Sequence, residues 1–507
     1  MSRSIGSNTL LNVLQIAVLM FLTPFVLRTL GGEQNGVWVA VVSMTGVLRL
    51  LVLGVPMASV KSISQAKGRG DLAGVNRAIS TCLAITLAMG VVALGLGWLQ
   101  REAFEHEYLD AALGKALSSE QRSAAELAFL LSALQVAAAF AMRLPYGILE
   151  AYDDFPTRNV LMAGELLLRA GLTVVLLPLV PDLSTLAWIL VGTMCVEFAL
   201  AWLAVVRRHP GTRFSLASFD RGLVREVLSF SVFAMLLNVG TLLAFRLDAL
   251  VIGHWLDAQA ITQFDMGNKF FEPLTSFVIG IGAVVMPTAS RLNASGRLVD
   301  LRPVLLKWTR ISFSLVLAVG VFLVLLGPDF LALWVGEEFR GRAGDVLRIL
   351  MVSFALYLPV RGVALPILMG LGRPVQPTVA LLAMGAVNVA LSIALVEPYG
   401  LVGVALGTAI PNVLFSLFVG ALACRELAVP AREYLAYGIG KPLCGALPAV
   451  AAVMLYKSSF VVDTWFELAA GGVVACAVLG VSWVTFVLRD DPWIALPGPL
   501  RKFGGGA

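Results

Sequence analysis

Leu10-Leu11-Asn12-Val13-Leu14-Gln15-Ile16-Ala17-Val18-Leu19-Met20-Phe21-Leu22-Thr23-Pro24-Phe25-Val26-Leu27 is an uncharged, mostly apolar run close to the start of the chain. A helix of about 20 such residues crosses the hydrocarbon core of a bilayer. One basic residue, Arg3, precedes the run, and no small-x-small cleavage site appears before the polar turn Gly31-Gly32-Glu33. It therefore reads as a retained first span rather than a cleaved signal peptide.

Similar runs recur along the whole chain, near 10–28, 37–58, 79–99, 124–149, 160–180, 184–206 and 229–253 in the first half. The second half adds 267–290, 311–330, 344–369, 376–396, 402–424, 438–456 and 468–488. Composition agrees, because 59% of the 507 residues are hydrophobic, 14% are charged, and the mean hydropathy is +0.88. A soluble fold could not hide that much apolar surface. The expected fold class is all-α, a polytopic membrane protein of about fourteen helices with short connections and no sizeable soluble domain.

Most of the 37 Lys and Arg residues fall in alternate loops, 59–78, 207–228, 291–310, 424–441 and the tail among them. Cytoplasmic loops retain positive charge, so both termini are expected in the cytoplasm. The longest outer loop, 100–123, carries Glu102, Glu105, Glu107, Asp110 and Glu120 against Arg101, Lys115 and Arg122. The net charge of +5 is scattered through loops and implies membrane topology, with no nucleic-acid partner. Segments 218–228 and 297–310 mix basic and apolar residues, and read as short helices on the cytoplasmic leaflet held by Arg221, Arg225, Arg302 and Lys307. Cys82, Cys195, Cys424, Cys444 and Cys476 form no C-x-x-C pair and read as small buried hydrophobes, without metal or disulfide roles. No cofactor is expected.

An internal repeat is visible. Leu11-Asn12-Val13 recurs as Leu237-Asn238-Val239, and Ser64 to Gly70 overlays Ser290 to Gly296 at the same offset. Leu144-Pro145 with Ile148-Leu149 is echoed by Leu358-Pro359 with Ile367-Leu368. Spans one to six then match seven to twelve, giving domains 1–210, 211–428 and a remainder, 429–507, with the last two helices.

Charges inside spans are costly and usually face a bundle interior or a wet cavity. Arg49, Arg246, Lys269 and Arg361 are candidates for a cationic, substrate-binding cavity, since guanidinium forks match phosphate oxygens. The plainer alternative is that each is neutralised by a nearby carboxylate or snorkels to the interface. Glu165 and Arg169 stand at i,i+4 and are expected to pair. Glu197, alone in its span, and Asp248 are candidates for ion coupling. Glu272 lies near Lys269 at the start of the eighth span. Pro24, Pro145, Pro287, Pro359 and Pro366 are potential kinks.

A string of weak motifs in order resembles the polysaccharide-transporter branch of the multidrug/oligosaccharidyl-lipid/polysaccharide flippases, O-antigen-type flippases included. The motifs are Pro24 to Gly31 with Gly36-Val37-Trp38, Arg143 to Glu150, Arg246 to Gly253, Met286 to Leu292, Leu333 to Phe339, and Tyr399 to Thr408. One departure is Val52 before Gly54, where many relatives carry an aspartate. The resemblance implies two six-helix lobes facing each other in a V around an alternating-access cavity, in a bacterial inner membrane. It also implies transport of an undecaprenyl-diphosphate-linked oligosaccharide to the periplasmic leaflet, as in lipopolysaccharide or exopolysaccharide synthesis, with glycan polymerase and glycosyltransferase partners. A drug exporter or a peptidoglycan-precursor flippase shares the fold. An enzyme is not expected, because there is no Walker loop, no H-E-x-x-H, and no cluster among His106, His209 and His254.

Overall fold

A computed structural model gives the arrangement of residues 2–52, 55–110, 117–215, 218–489 and 491–494. Gly54, Lys115, Arg501 and Lys502 lie outside the described residues, as do the side chains of Arg3 and Val52. The described chain is helical, with no strand. That is the expected result of a run in which lipid offers no partner to a free backbone N–H or C=O, so each segment must satisfy its own.

Twelve helical stretches are long and apolar enough to cross a membrane. They are α1 (Leu10–Leu51), α2 (Leu72–Leu109), α3 (Ser119–Ala151), α4 (Phe155–Leu176), α5 (Leu183–Arg208) and α6 (Met235–Trp255). The others are α7 (Ala258–Ala294), α8 (Leu298–Val335), α9 (Arg342–Gly370), α10 (Val375–Glu426), α11 (Ala431–Ser459) and α12 (Trp465–Val487). Two of them are double. Gly31 interrupts α1 at φ 81° and Gly400 interrupts α10 at φ 57°, a backbone region that a Cβ disfavours. Divided there, the 42 and 52 residues each supply two lengths of about 20. Fourteen crossings result among the described residues.

Side chains that close the free N–H groups set where several helices begin. Asp71 accepts from Gly74 N at 2.7 Å before α2, and Asp182 from Ser184 N at 3.1 Å before α5. Ser118 with Gln121, and Thr464 with Glu467, form reciprocal capping boxes before α3 and α12.

The chain divides into two compact units, Met1–Leu242 with Arg246–Thr262, and Leu243–Phe245 with Gln263–Ala507. Most of the seventh span thus belongs to the first unit. In that unit Ile63, Ile79, Cys82, Ile148, Leu149 and Val205 form one buried cluster, and Leu48, Ala93, Val136 and Phe140 another. In the second, α8 packs on α11 and α12 through Phe313, Leu317, Leu326, Ala449, Val453 and Ala475. Large apolar side chains such as Val91, Leu99, Val160, Leu417 and Val473 are exposed. On a soluble protein such surface would be a liability, and in a bilayer it faces lipid.

Ion pairs fasten the last two helices to α8 at both ends. Arg310 is fully buried and bonded to Asp491, with its guanidinium 3.4 Å from the centre of the Tyr437 ring. It also donates to Tyr437 O at 3.0 Å and Val487 O at 3.2 Å, while the Tyr437 hydroxyl donates to Asp491 at 2.7 Å. At the other end Asp329 accepts from Arg340 and, at 2.5 Å, from Lys457.

Three sequence expectations are corrected. Segments 218–228 and 297–310 are not separate surface helices: Arg221–Phe245 is one helix, and a single turn at Leu298–Asp300 leads directly into Leu301–Val335. Their basic residues extend membrane helices, and Arg302 pairs with Glu433. Cys82 and Cys424 are buried as expected, but Cys195, Cys444 and Cys476 are exposed, because their apolar runs turn that face outward.

Candidate functional site

In the first unit, Arg49 lies in the 3-10 turn Val47–Val52 that ends α1, with an exposed side chain. A tighter turn at a helix end rotates its side chains away from the α-helical register. Nearby in sequence order but on other helices, α3, α4 and α5 bring together a polar cluster. The Tyr146 hydroxyl donates to Glu197 Oε1 at 2.5 Å, and Thr193 Oγ1 donates to Glu165 Oε1 at 3.2 Å. Arg169 Nε stands 3.6 Å from the same Glu165 oxygen, so the i,i+4 pair forms. Thr193 and Glu197 are themselves one turn apart on α5, which places both carboxylates along one face of that helix. Glu197 is therefore not the isolated acid that its span implied: it has a phenol partner from α3, in the motif Leu144-Pro145-Tyr146.

Arg246 and Asp248 do not share a continuous helix. The helix Arg221–Phe245 ends at Arg246, which is exposed, and Asp248 opens the next helix, Asp248–Trp255. Asp248 is 4% exposed. The break re-aims the two side chains independently, so their spacing of two does not describe them.

In the second unit, Lys269 is paired rather than lacking a partner, since its Nζ stands 2.6 Å from Asp265 Oδ2. That ion pair follows from the i,i+4 spacing Asp265-x-x-x-Lys269. Glu272 is exposed in the first turn of Phe271–Ala294.

Arg361 has a different setting. It sits in a π-helical turn, Val360–Ala364, that follows Pro359 in α9. Tyr357, one turn earlier in α9, is buried. A seam of buried neutral polar groups runs through the same unit. Asn388 donates to Ala244 O and to Thr408 Oγ1, both at 3.0 Å, and Asn412 donates to Ser353 Oγ at 3.3 Å. The sequence reading, tuned to charges, passed over Asn388, Asn412 and Tyr357. Counting polar residues at i,i+4 on uncharged spans would have found Asn388-Ser392.

No group of three His, Cys, Asp or Glu residues that could hold a metal occurs among the described residues. The site's chemistry is that of cations, amides and hydrogen-bonded carboxylates inside membrane helices, the repertoire of passage and recognition.

The model of the polysaccharide biosynthesis protein family matches residues 1–293, more than half of the chain. The chain belongs to the polysaccharide biosynthesis protein family. A MatE model matches residues 231–394 of this family member. Among curated relatives, the uncharacterized membrane protein EpsK of Bacillus subtilis (strain 168) is 23% identical over 472 residues, covering 91% of this chain and 90% of EpsK. Among solved structures, the lipid II flippase MurJ in an inward closed conformation aligns with a TM-score of 0.70 at 13% identity, covering 95% of this chain and 98% of MurJ. An inward-facing multidrug resistance MATE family transporter of the MOP superfamily aligns with a TM-score of 0.63 at 16% identity, covering 82% and 98%. The polysaccharide biosynthesis protein family member is thus a multi-pass membrane protein that shares its fold with those two structures. Those two structural neighbours are a flippase and a multidrug resistance transporter.

Proposed function

We propose that this protein is a flippase that carries an undecaprenyl-diphosphate-linked oligosaccharide from the cytoplasmic to the periplasmic leaflet of a bacterial inner membrane by alternating access. Both termini would be cytoplasmic, the lobes 1–210 and 211–428 would alternate, and 429–507 would stand outside the repeat. The observation that carries this reading is Arg361, a cation in the π-helical turn of a membrane-length helix, in a chain of the polysaccharide biosynthesis family. A diphosphate leaving water needs compensating charge, and guanidinium supplies it in bidentate form. Arg49 and Arg246 would serve the cargo with Arg361. Lys269 would do so only after exchanging Asp265 for a phosphate. Glu197 and Asp248 would couple transport to an ion. Membrane lipids surround the protein, and a glycan polymerase and glycosyltransferases would supply and consume its cargo.

The test is reconstitution of the purified protein in vesicles, with a labelled polyprenyl-diphosphate-linked glycan in one leaflet. Movement of that lipid to the other leaflet, with no movement of a cationic dye, is the expected result. The MatE match and the MATE-like fold favour a second reading, a multidrug exporter. Transport of the dye without the lipid would establish that one instead. A peptidoglycan-precursor flippase would rescue a strain conditionally deprived of its own.

A further inference from the structure

The glycine turn that divides α1 borders a cavity of about 380 Å³, within the range of about 300–1,000 Å³ typical of small-molecule sites. Its lining comes from three places in the first unit: Leu30 to Gln34 in the turn, Leu117 and Gln121 around the start of α3, and Gln259 in the first turn of α7. Each lies where an odd-numbered crossing gives way to the next, so all three belong to one face of the membrane. Thr262 Oγ1 donates to Gly32 O at 2.5 Å and accepts from Asn35 Nδ2 at 3.3 Å, which pins the turn to α7. Asp257 accepts from Ala260 N at 2.7 Å and caps the helix that carries Gln259. A Cβ on Gly32 would fall 1.8 Å from Gln259 Oε1, so only glycine leaves that amide room.

Glu33, Gln34, Gln121 and Gln259 are the polar side chains of the lining, and none of the lining residues is basic. Gln121 Oε1 already accepts from Ser118 N at 2.9 Å, which leaves its amide nitrogen to donate. The side chains of Glu33, Gln34 and Gln259 make no hydrogen bond or ion pair among the described residues. An anion would meet a carboxylate here and no cation, so the cavity does not suit a phosphate. A neutral ring with neighbouring hydroxyl groups does suit it. A carboxylate accepts from hydroxyls, and a carboxamide donates to one while accepting from the next. Leu30 and Leu117, both buried, add apolar lining for the C–H face of such a ring.

We propose that this cavity is a saccharide subsite, in which Glu33, Gln34, Gln121 and Gln259 hydrogen-bond the hydroxyl groups of one neutral sugar ring. It rests on the flippase reading in one respect, that the ring belongs to a lipid-linked glycan and that this face is the periplasmic one, where the glycan is released.

The experiment is saturation-transfer NMR on the purified full chain in a sugar-free detergent, with four probes: methyl glucopyranoside, methyl galactopyranoside, methyl N-acetylglucosaminide and, as a cation, tetramethylammonium. Saturation is expected to reach the ring protons of at least one glycoside and not the cation. Gln34→Ala, Gln259→Ala and Glu33→Gln should each weaken that binding about three- to tenfold, the size of one hydrogen bond. Their thermal unfolding midpoints should match that of the native protein, because these side chains bond to nothing else among the described residues. No transfer to any glycoside, or equal transfer from the native protein and all three variants, would overturn the proposal while leaving the flippase reading in place. Transfer to tetramethylammonium that is lost in Glu33→Gln would overturn it in favour of a cation site. Native protein that binds a glycoside through these residues but moves no lipid-linked glycan in vesicles would uphold the sugar site and reject the flippase reading instead.

Discussion

Glu197 and Tyr146 meet at 2.5 Å inside the membrane helices of the first unit, a geometry in which the carboxylate accepts and the phenol donates. A hydrogen bond to a charged acceptor contributes about 1.5–3 kcal/mol when it is not replaced by water. Tyr146→Phe should therefore lower the unfolding free energy in detergent by about that amount. Glu197→Gln, which retains an acceptor, should cost less, and the double variant should cost less than the sum of the two, because both remove one bond. Strict additivity would show that the two side chains act separately.

His209, just beyond α5, stacks on Tyr152 at 4.1 Å and stands 3.9 Å from Asp154. Burial holds its imidazole below the ordinary value of 6.5, although the Asp154 charge acts in the opposite direction. The unfolded chain takes up a proton at that ordinary value and the folded chain resists it, so the unfolded state binds more protons as pH falls through 6.5. Stability should accordingly decline below about 6.5, where unperturbed histidine titrates. Unfolding midpoints across that range should show the decline in the native protein and a flatter profile in His209→Gln. Identical profiles would contradict the assignment.

At the scale of elements, the clasp of α8 to the last two helices makes the sharpest claim. Arg310 and Asp491 are both fully buried, so removing one leaves the other charged in a medium that cannot solvate it. Arg310→Ala or Asp491→Ala should cost about 3–5 kcal/mol, while replacing both with apolar residues of similar volume should be near neutral. Chemical unfolding of the purified variants measures both. A double replacement as damaging as either single one would show that the clasp is needed as an ion pair.

The same clasp marks what the sequence does not disclose. Arg310 stands among basic residues before the ninth span and reads as a loop charge, and its partner is 181 residues away, with no periodicity to link them. Pairs within one helix are legible, and Glu165-Arg169 was anticipated from spacing alone. Asp265-Lys269 obeys the same rule and was missed because the eighth span was begun at 267, which cut off its partner. The break at Arg246 and the π-helical turn at Arg361 depend on packing against neighbouring helices and leave no local signature.

At the scale of the whole chain, hydropathy carries most of the information, because a bilayer enforces one solution for each apolar run. That is why the crossings and even the glycine turn after Leu30 could be read directly, whereas the pairing of Glu197 across three helices could not. The proposed transport requires Arg49 and Arg361 to compensate the cargo's phosphates. The most direct measurement is the initial rate at which vesicles containing Arg49→Ala or Arg361→Ala protein move a labelled polyprenyl-diphosphate-linked glycan between leaflets, relative to native protein at equal incorporation. The expected result is at least tenfold slower movement for each, roughly the worth of one charge-assisted contact. Native rates in both variants would contradict it.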